Sequence, residues 1–271
     1  MDAWVDGSPS ATVGVSNRGL AYGDGLFETI RVKGGRLTLL HRHLARLQLG
    51  CQRLGVRLDR AQLEHELAAY ATKLEEGVLK LVVTRGDSAR GYAPDPTAPA
   101  RRILMGGPLP QYPAQRQSEG VALYPCATRL AEQPAFAGLK HLNRLEQVIA
   151  RAEWENTEMA EGLMRDTQGR VIEGVFSNLF LVEDGVLCTP DLRRCGVAGT
   201  LRAELLARQA EQGQPVRVMD VSMAQLEAAS EVFMCNSVYG IWPVRQCGEL
   251  AWPVGPHTRK LQRLACELLD I

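Results

Sequence analysis

Lysine is scarce in this chain: of 31 basic residues only five are lysines, and the other 26 are arginines. Lys33 sits beside Gly34 and Gly35 at a hairpin turn, and Lys73 ends a polar helix. Lys80 holds one alternating position of a strand, and Lys260 lies on the polar face of the last helix. Lys140 stands apart, in Ala137-Gly138-Leu139-Lys140-His141-Leu142-Asn143-Arg144-Leu145, just before an amphipathic helix. An amine held among apolar neighbours gives up its proton more readily, which makes it a nucleophile able to form a Schiff base. Taken alone, the segment also reads as an exposed loop lysine.

A second group is Glu173, in Arg170-Val171-Ile172-Glu173-Gly174-Val175-Phe176-Ser177-Asn178-Leu179-Phe180. A carboxylate in an apolar strand is costly to bury unless a positive group meets it. A pyridinium nitrogen would be such a partner, and the ion pair would keep pyridoxal phosphate protonated as an electron sink. The alternative is a carboxylate at an exposed strand edge. Third, Cys195-Gly196-Val197-Ala198-Gly199-Thr200-Leu201-Arg202 opens a helix. Two glycines allow a tight turn, and the amides of a helix start can face a phosphate. Arg46 lies off the apolar stripe of its own helix, where it could clamp a phosphate or stay solvated. Asn236 and Ser237 close an apolar strand and could donate to the same phosphate or form a turn.

The elements that must position these groups follow from hydrophobic periodicity. Leu26 to Val32 and Arg36 to Leu40 flank the hairpin signal Lys33-Gly34-Gly35. Leu44, Leu47, Cys51 and Leu54 recur at helical spacing from His41 onward, and Gly55 marks the stop. A second helix is predicted over Arg60 to Leu74, then strands over Val78 to Thr84 and Arg101 to Met105. The polar stretch between those strands, Gly86 to Pro99, reads as a loop. Gly106-Gly107-Pro108-Leu109-Pro110-Gln111-Tyr112-Pro113 is the candidate linker. Domains are therefore predicted over 1–107 and 116–271, joined by 108–115, with Lys140 carried by the second. That second half should hold a strand from Val121 to Cys126 and a helix with Leu142, Leu145, Val148, Ile149 and Ala152 on one face. A long strand region over Val171 to Val182 should follow, with a helix over Gly199 to Gln212, a strand within Val232 to Val244 and a helix over His257 to Leu269. Strands and helices without strict alternation predict an α+β fold.

Composition narrows the function. Acidic and basic residues balance at 31 each, so no net field draws the chain toward nucleic acid or an anionic membrane. No apolar run approaches the roughly 20 residues that span a bilayer. The opening residues carry no basic region followed by an apolar stretch, so no signal peptide is expected. Seven dispersed cysteines without a CxxC pair read as buried apolar groups in a reducing cytoplasm. Five scattered histidines offer no metal site: His41 and His43, two apart, suit a helical one poorly.

The motifs fall in one order: Gly-Asp-Gly-Leu-Phe-Glu at 23–28, Arg46, Lys140, Glu173 with Ser-Asn-Leu-Phe at 177–180, Gly-Val-Ala-Gly at 196–199, and Cys-Asn-Ser at 235–237. That order resembles the fold type IV pyridoxal-phosphate enzymes, which include branched-chain and D-amino-acid aminotransferases and aminodeoxychorismate lyases. The stretches at 21–29, 84–92 and 140–147 are similar to the lyase branch. The resemblance implies a two-domain, D-amino-acid-aminotransferase-like fold, usually a homodimer, that binds pyridoxal 5'-phosphate. It implies that aminodeoxychorismate is converted to 4-aminobenzoate and pyruvate, with an aminotransferase on the same scaffold as the alternative. Carried over by position, Lys140 matches the Schiff-base lysine, Glu173 the partner of the pyridine nitrogen and Arg46 the phosphate-binding arginine. Val197 and Ala198 match the phosphate-binding amides, with Asn236 and Ser237 nearby, and Arg90 and Tyr92 lie where relatives bind a substrate carboxylate. Branched-chain relatives place a tyrosine shortly after the lysine to bond the cofactor's phenolic oxygen. Asn143, Arg144 and Leu145 stand here instead, and Asn143 is the candidate for that bond.

Overall fold

The computed structural model describes residues 2–89 and 91–271, which form two compact units. The main break falls between Pro110 and Gln111.

The first unit contains β1 (Ala3–Val5), β2 (Ser8–Pro9), α1 (Arg18–Tyr22), β3 (Gly25–Lys33) and β4 (Arg36–Leu37). It continues with α2 (Leu40–Leu54), α3 (Arg60–Leu74), β5 (Gly77–Thr84) and β6 (Arg101–Gly107). Its six strands form an antiparallel sheet in the order β2-β1-β6-β5-β3-β4. Helix α2 buries Leu44, Leu47 and Cys51 as the spacing predicts, and α3 starts where the Asp59 side chain accepts the Gln62 amide. These helices and the sheet enclose Leu63, Leu67, Leu79, Leu81 and Leu104.

One expectation needs correcting here. Residues Leu139–Asn143, with Lys140 among them, belong to the first unit and not the second. The reason is local. Leu139 is fully buried in the first unit's core, which stabilises by about 1.5–3 kcal/mol for such a side chain. The Lys140 carbonyl accepts the Phe27 amide at 2.9 Å, and the Leu142 amide donates to the Gly25 carbonyl at 3.0 Å. The segment is thus stitched along the start of β3.

The second unit contains α4 (Gln115–Ser118), β7 (Val121–Leu130), α5 (Leu145–Arg151), β8 (Met159–Asp166), β9 (Val171–Gly174), β10 (Asn178–Glu183) and β11 (Val186–Pro190). It closes with α6 (Thr200–Glu211), β12 (Arg217–Met219), α7 (Met223–Ala228), β13 (Glu231–Asn236), β14 (Gly240–Cys247), β15 (Leu250–Ala251) and α8 (Pro256–Leu269). The sheet order is β12-β11-β10-β13-β14-β7-β8-β9, and β9 also pairs with β10. That last pairing closes six strands into a ring around Val121, Leu163, Leu179, Met234 and Trp242. No described helix is long and apolar enough to cross a membrane.

Two regions differ from the sequence reading. The long strand region over Val171 to Val182 is two strands, β9 and β10, broken at residues 175–177 and paired at Glu173 and Asn178. The helix after Lys140 is α5, but the stripe on it faces solvent: Leu145, Val148 and Ile149 are 74%, 62% and 57% exposed. It is Gln147 and Ala150 that α5 buries.

Candidate active site

The first unit carries Lys140, Glu28, His43 and Arg46. Lys140 is half-buried, and its ammonium stands 4.4 Å from the Phe27 ring centre. One residue beyond Phe27 on β3, Glu28 is 1% exposed. Two side chains reach it from α2, His43 and Arg46, whose i,i+3 spacing puts them on one face. Arg46 Nε donates to Glu28 Oε1 at 2.8 Å and its Nη2 donates to Oε2, a bidentate fork. His43 Nδ1 lies 2.6 Å from Oε2. Burial alone would raise the Glu28 carboxyl; the charges of Arg46 and His43 and their hydrogen bonds reverse that and hold it at about 2. Burial keeps His43 below its ordinary value against the pull of Glu28, and the positive charges of Arg46 and Lys140 act the same way as burial. Because the Glu28 carboxylate can only accept, His43 Nδ1 carries the hydrogen of this bond.

The second unit carries Glu173, Asn178 and the 197–199 segment. Glu173 on β9 is 4% exposed, and its Oε2 accepts the Val197 amide at 2.8 Å. Across the ladder Asn178 reaches the same turn: its Nδ2 donates to the Val197 carbonyl at 2.8 Å, and its Oδ1 accepts the Gly199 amide at 2.9 Å. The Ala198 amide donates to the Gly138 carbonyl at 3.1 Å. The amides of Val197 and Ala198, matched to phosphate binding in the sequence, are thus engaged by Glu173 and by Gly138. The turn they form delivers Gly199 as the N-cap of α6, with no side-chain cap. Helix α6 then begins at Thr200, so the turn leads directly into a helix start.

The remaining sequence candidates fare differently. The Asn236 side chain accepts the Val238 and Tyr239 amides at 2.9 and 3.0 Å, so it builds the turn from β13 to β14. Ser237 is half-buried in that turn. Asn143 is exposed and donates to the Gly23 carbonyl at 3.1 Å, which ties the lysine segment to the turn before β3. Beyond it, Arg144 is half-buried and feels the charge of Glu173. Arg90 lies outside the described residues. Tyr92 is 87% exposed, and its carbonyl accepts Arg18 Nη2 at 3.0 Å. Arg18 also holds Ser88 Oγ, the Gly91 carbonyl and Asp24. Arg85 grips Asp24 with two donors and the Leu54 and Gly55 carbonyls with two more. It therefore anchors its own loop.

Sequence reasoning did not give roles to Glu28, His43 and Asn178. Glu28 and Asn178 stand inside the quoted motifs, and a buried polar type in an apolar strand was the available signal, the same one that marks Glu173.

The chain belongs to the amino-transferase class IV family, whose sequence model matches residues 25–247. It is 36% identical over 264 residues to the aminodeoxychorismate lyase of Vibrio harveyi, covering 96% of this chain and 97% of that protein. It superposes on the crystal structure of 4-amino-4-deoxychorismate lyase from Pseudomonas aeruginosa with a TM-score of 0.97 and 60% identity, covering 99% of this chain and all of that one. The branched-chain amino acid aminotransferase from Escherichia coli shares the fold at 24% identity, with a TM-score of 0.82 over 97% of this chain and 92% of that one. The architecture is accordingly the two-domain fold type IV, α+β. Enzymes of this class use pyridoxal phosphate, and the donor set here fits it. There is an amine beside an aromatic ring, a guanidinium preset by a carboxylate, a buried carboxylate and a helix start behind a glycine turn.

Proposed function

We propose that this chain is a pyridoxal-phosphate-dependent lyase that converts 4-amino-4-deoxychorismate to 4-aminobenzoate and pyruvate. The observation that carries the reading is the 60% identity to the Pseudomonas aeruginosa lyase along virtually the whole chain. When bound, the cofactor supplies a sink for the electron pair released as a C–H proton is removed next to the substrate's nitrogen.

The residues divide the remaining work. Lys140 would hold the cofactor, and its amine would take the proton from the ring carbon bearing nitrogen. Its carbonyl and that of Gly25 are fixed along β3, so the amine is aimed by backbone and not by a flexible loop. Glu173, a buried carboxylate, would face the ring nitrogen and keep it protonated. Arg46, oriented by Glu28, and the start of α6 would hold the phosphate. In the substrate the C–H bond breaks, the bond from the ring to the enolpyruvyl oxygen breaks, and a ring double bond forms. The carbocycle becomes aromatic, and the departing enolpyruvate takes up a proton to become pyruvate. Arg90 with Tyr92 binds a substrate carboxylate in this reading.

The protein works as a homodimer in the cytoplasm. Three apolar side chains exposed on one short helix, Leu145, Val148 and Ile149, support a second copy covering them. Seven thiols without a disulfide support a reducing compartment. The direct test supplies purified protein with chorismate, glutamine and an aminodeoxychorismate synthase and measures 4-aminobenzoate. Absence of product, with turnover of a D-amino acid and 2-oxoglutarate instead, would replace the lyase by an aminotransferase.

A further inference from the structure

Glu161, on β8, is 0% exposed, and its partners are neutral. The Gly162 and Val175 amides both donate to its Oε1 at 3.0 Å. Ser177 Oγ lies 2.6 Å from Oε2, and Tyr239 Oη lies 2.7 Å from Ser177 Oγ. Tyr239 is itself 4% exposed and stacks on Trp242 at 3.7 Å. The titratable groups that bear on Glu161 are Tyr239, Tyr112 and Cys126, none of which is cationic. A buried carboxylate without a cation is expensive, so such a group keeps its proton. Burial pushes Glu161 up to about 8, against the hydrogen bonds from Ser177 and the backbone.

The groups that Glu161 touches have one thing in common. Val175 and Ser177 make the turn that separates β9 from β10, and Gly174 N–H donates to the Ser177 carbonyl at 2.7 Å to close it. At the two ends of this turn stand Glu173 and Asn178, paired across the ladder. Both reach the Val197 turn, Glu173 through the Val197 amide and Asn178 through the Val197 carbonyl and the Gly199 amide. Glu161 also packs against the turn from below: a Cβ at Gly174 would lie 2.9 Å from its Cδ. A hydroxyl chain of this type has two settings. With Glu161 ionised, Tyr239 donates to Ser177 and Ser177 to Glu161. With Glu161 protonated, its own O–H donates to Ser177 and the chain reverses.

We propose that Glu161 is a neutral positioning acid: its carboxyl, bound to Val175 and Ser177, fixes the turn that sets Glu173 and Asn178 against the 197–199 segment. The proposal rests on the reading of Glu173 as partner of the cofactor's ring nitrogen. It makes Glu161 act through Glu173, without touching cofactor or substrate itself.

The test compares the holoenzyme with its Glu161→Gln, Glu161→Ala and Ser177→Ala variants. The readouts are the infrared band of a protonated carboxyl, the pH midpoint of the cofactor's visible band and the cofactor dissociation constant. The wild type should show a protonated-carboxyl band at pH 7 that is missing from Glu161→Gln. Glutamine offers an oxygen to the same two amides and an N–H to Ser177. Glu161→Gln should hold cofactor within about threefold of wild type, while Glu161→Ala should weaken it about tenfold, the scale of a lost buried hydrogen bond. Glu161→Ala should also move the visible-band midpoint. If glutamine behaves like alanine, or the band is absent from the wild type, the acid is ionised and the proposal fails. If alanine keeps the wild-type midpoint and affinity, whatever its Tm, the positioning role fails. Should Glu161→Ala not fold, Ser177→Ala decides by the same midpoint and affinity. Glu173→Gln separates the two readings: an unmoved midpoint there removes Glu173 from the ring nitrogen and leaves the infrared result for Glu161 standing.

Discussion

Arg46 Nε stands 2.8 Å from Glu28 Oε1, and its Nη2 donates to the other oxygen of the same carboxylate. The fork ties α2 to β3 and gives the guanidinium one orientation, one residue along from the ring that faces Lys140. Arg46→Ala should therefore weaken cofactor affinity more than it slows the cofactor-saturated enzyme, since phosphate anchors the ring and takes no part in bond breaking. A charge-assisted contact is worth roughly 1.5–3 kcal/mol, so affinity should fall about ten- to a hundredfold. Titration of apoprotein with cofactor measures this, and an unchanged constant would leave Arg46 with a purely structural task.

The same fork has an acid signature. Glu28 is held at about 2, below its ordinary 4.5, so the stability it contributes is complete above about pH 4.5 and is lost as pH falls toward 2. Glu28→Gln should flatten that stretch of the acid-denaturation curve relative to wild type. A curve of unaltered shape between those values would mean that the ion pair contributes nothing to folding.

Lys140 should carry the cofactor. Borohydride treatment should fix it there, and peptide mass spectrometry should find the adduct on Lys140 and on none of the other four lysines. Lys140→Ala should abolish turnover, because it removes both the covalent anchor and the base. An adduct at Lys33, Lys73, Lys80 or Lys260 would falsify the assignment.

Glu173→Gln should still bind cofactor but turn over far more slowly, because the uncharged amide lets the ring nitrogen lose its proton. Removing a preorganised charge of this kind raises the barrier on the order of a few kcal/mol. A near-normal kcat with cofactor fully bound would take Glu173 out of the chemistry.

Gly199 is the position where a methyl group has nowhere to go: a Cβ there would lie 2.0 Å from Asn178 Oδ1. Gly199→Ala must push the Asn178 side chain away and break its bonds to the Gly199 amide and the Val197 carbonyl. Loss of cofactor affinity with little change in the folded content is expected, read by circular dichroism alongside cofactor titration. Wild-type affinity would show that the turn can relax without moving the start of α6.

Arg90→Ala should lower kcat/KM for 4-aminobenzoate formation sharply while Tm and cofactor content hold. A variant that loses stability but keeps its specific activity would remove Arg90 from the substrate.

Much of this was legible in the sequence where periodicity or scarcity marked it. Helix α3 spans Arg60–Leu74 as read, because an aspartate cap and a regular apolar stripe define it locally. Lys140 and Glu173 stood out as charged groups in apolar surroundings. What escaped was set by contacts distant in sequence. Val175 and Phe176 continue an apolar run, so the break between β9 and β10 is invisible until Glu161 reaches in from β8. Gly-Val-Ala-Gly looked like a phosphate turn, yet which of its amides remain available depends on Glu173 and on Gly138, far away along the chain. The stripe on α5 was correctly apolar, but periodicity cannot tell a buried face from an exposed one.

The closed ring of the second unit bears on how the enzyme ages. Glu173 pairs with Met164 on one side and Asn178 on the other, so β9 has no free margin from which to fray. Its amide hydrogens should exchange with solvent more slowly than those of β12, which lies at the sheet's end and can peel locally. The residue assigned to the ring nitrogen thereby sits on a strand paired on both sides. Gradual loss of activity on storage should begin elsewhere, and deuterium uptake at β9 should lag behind it.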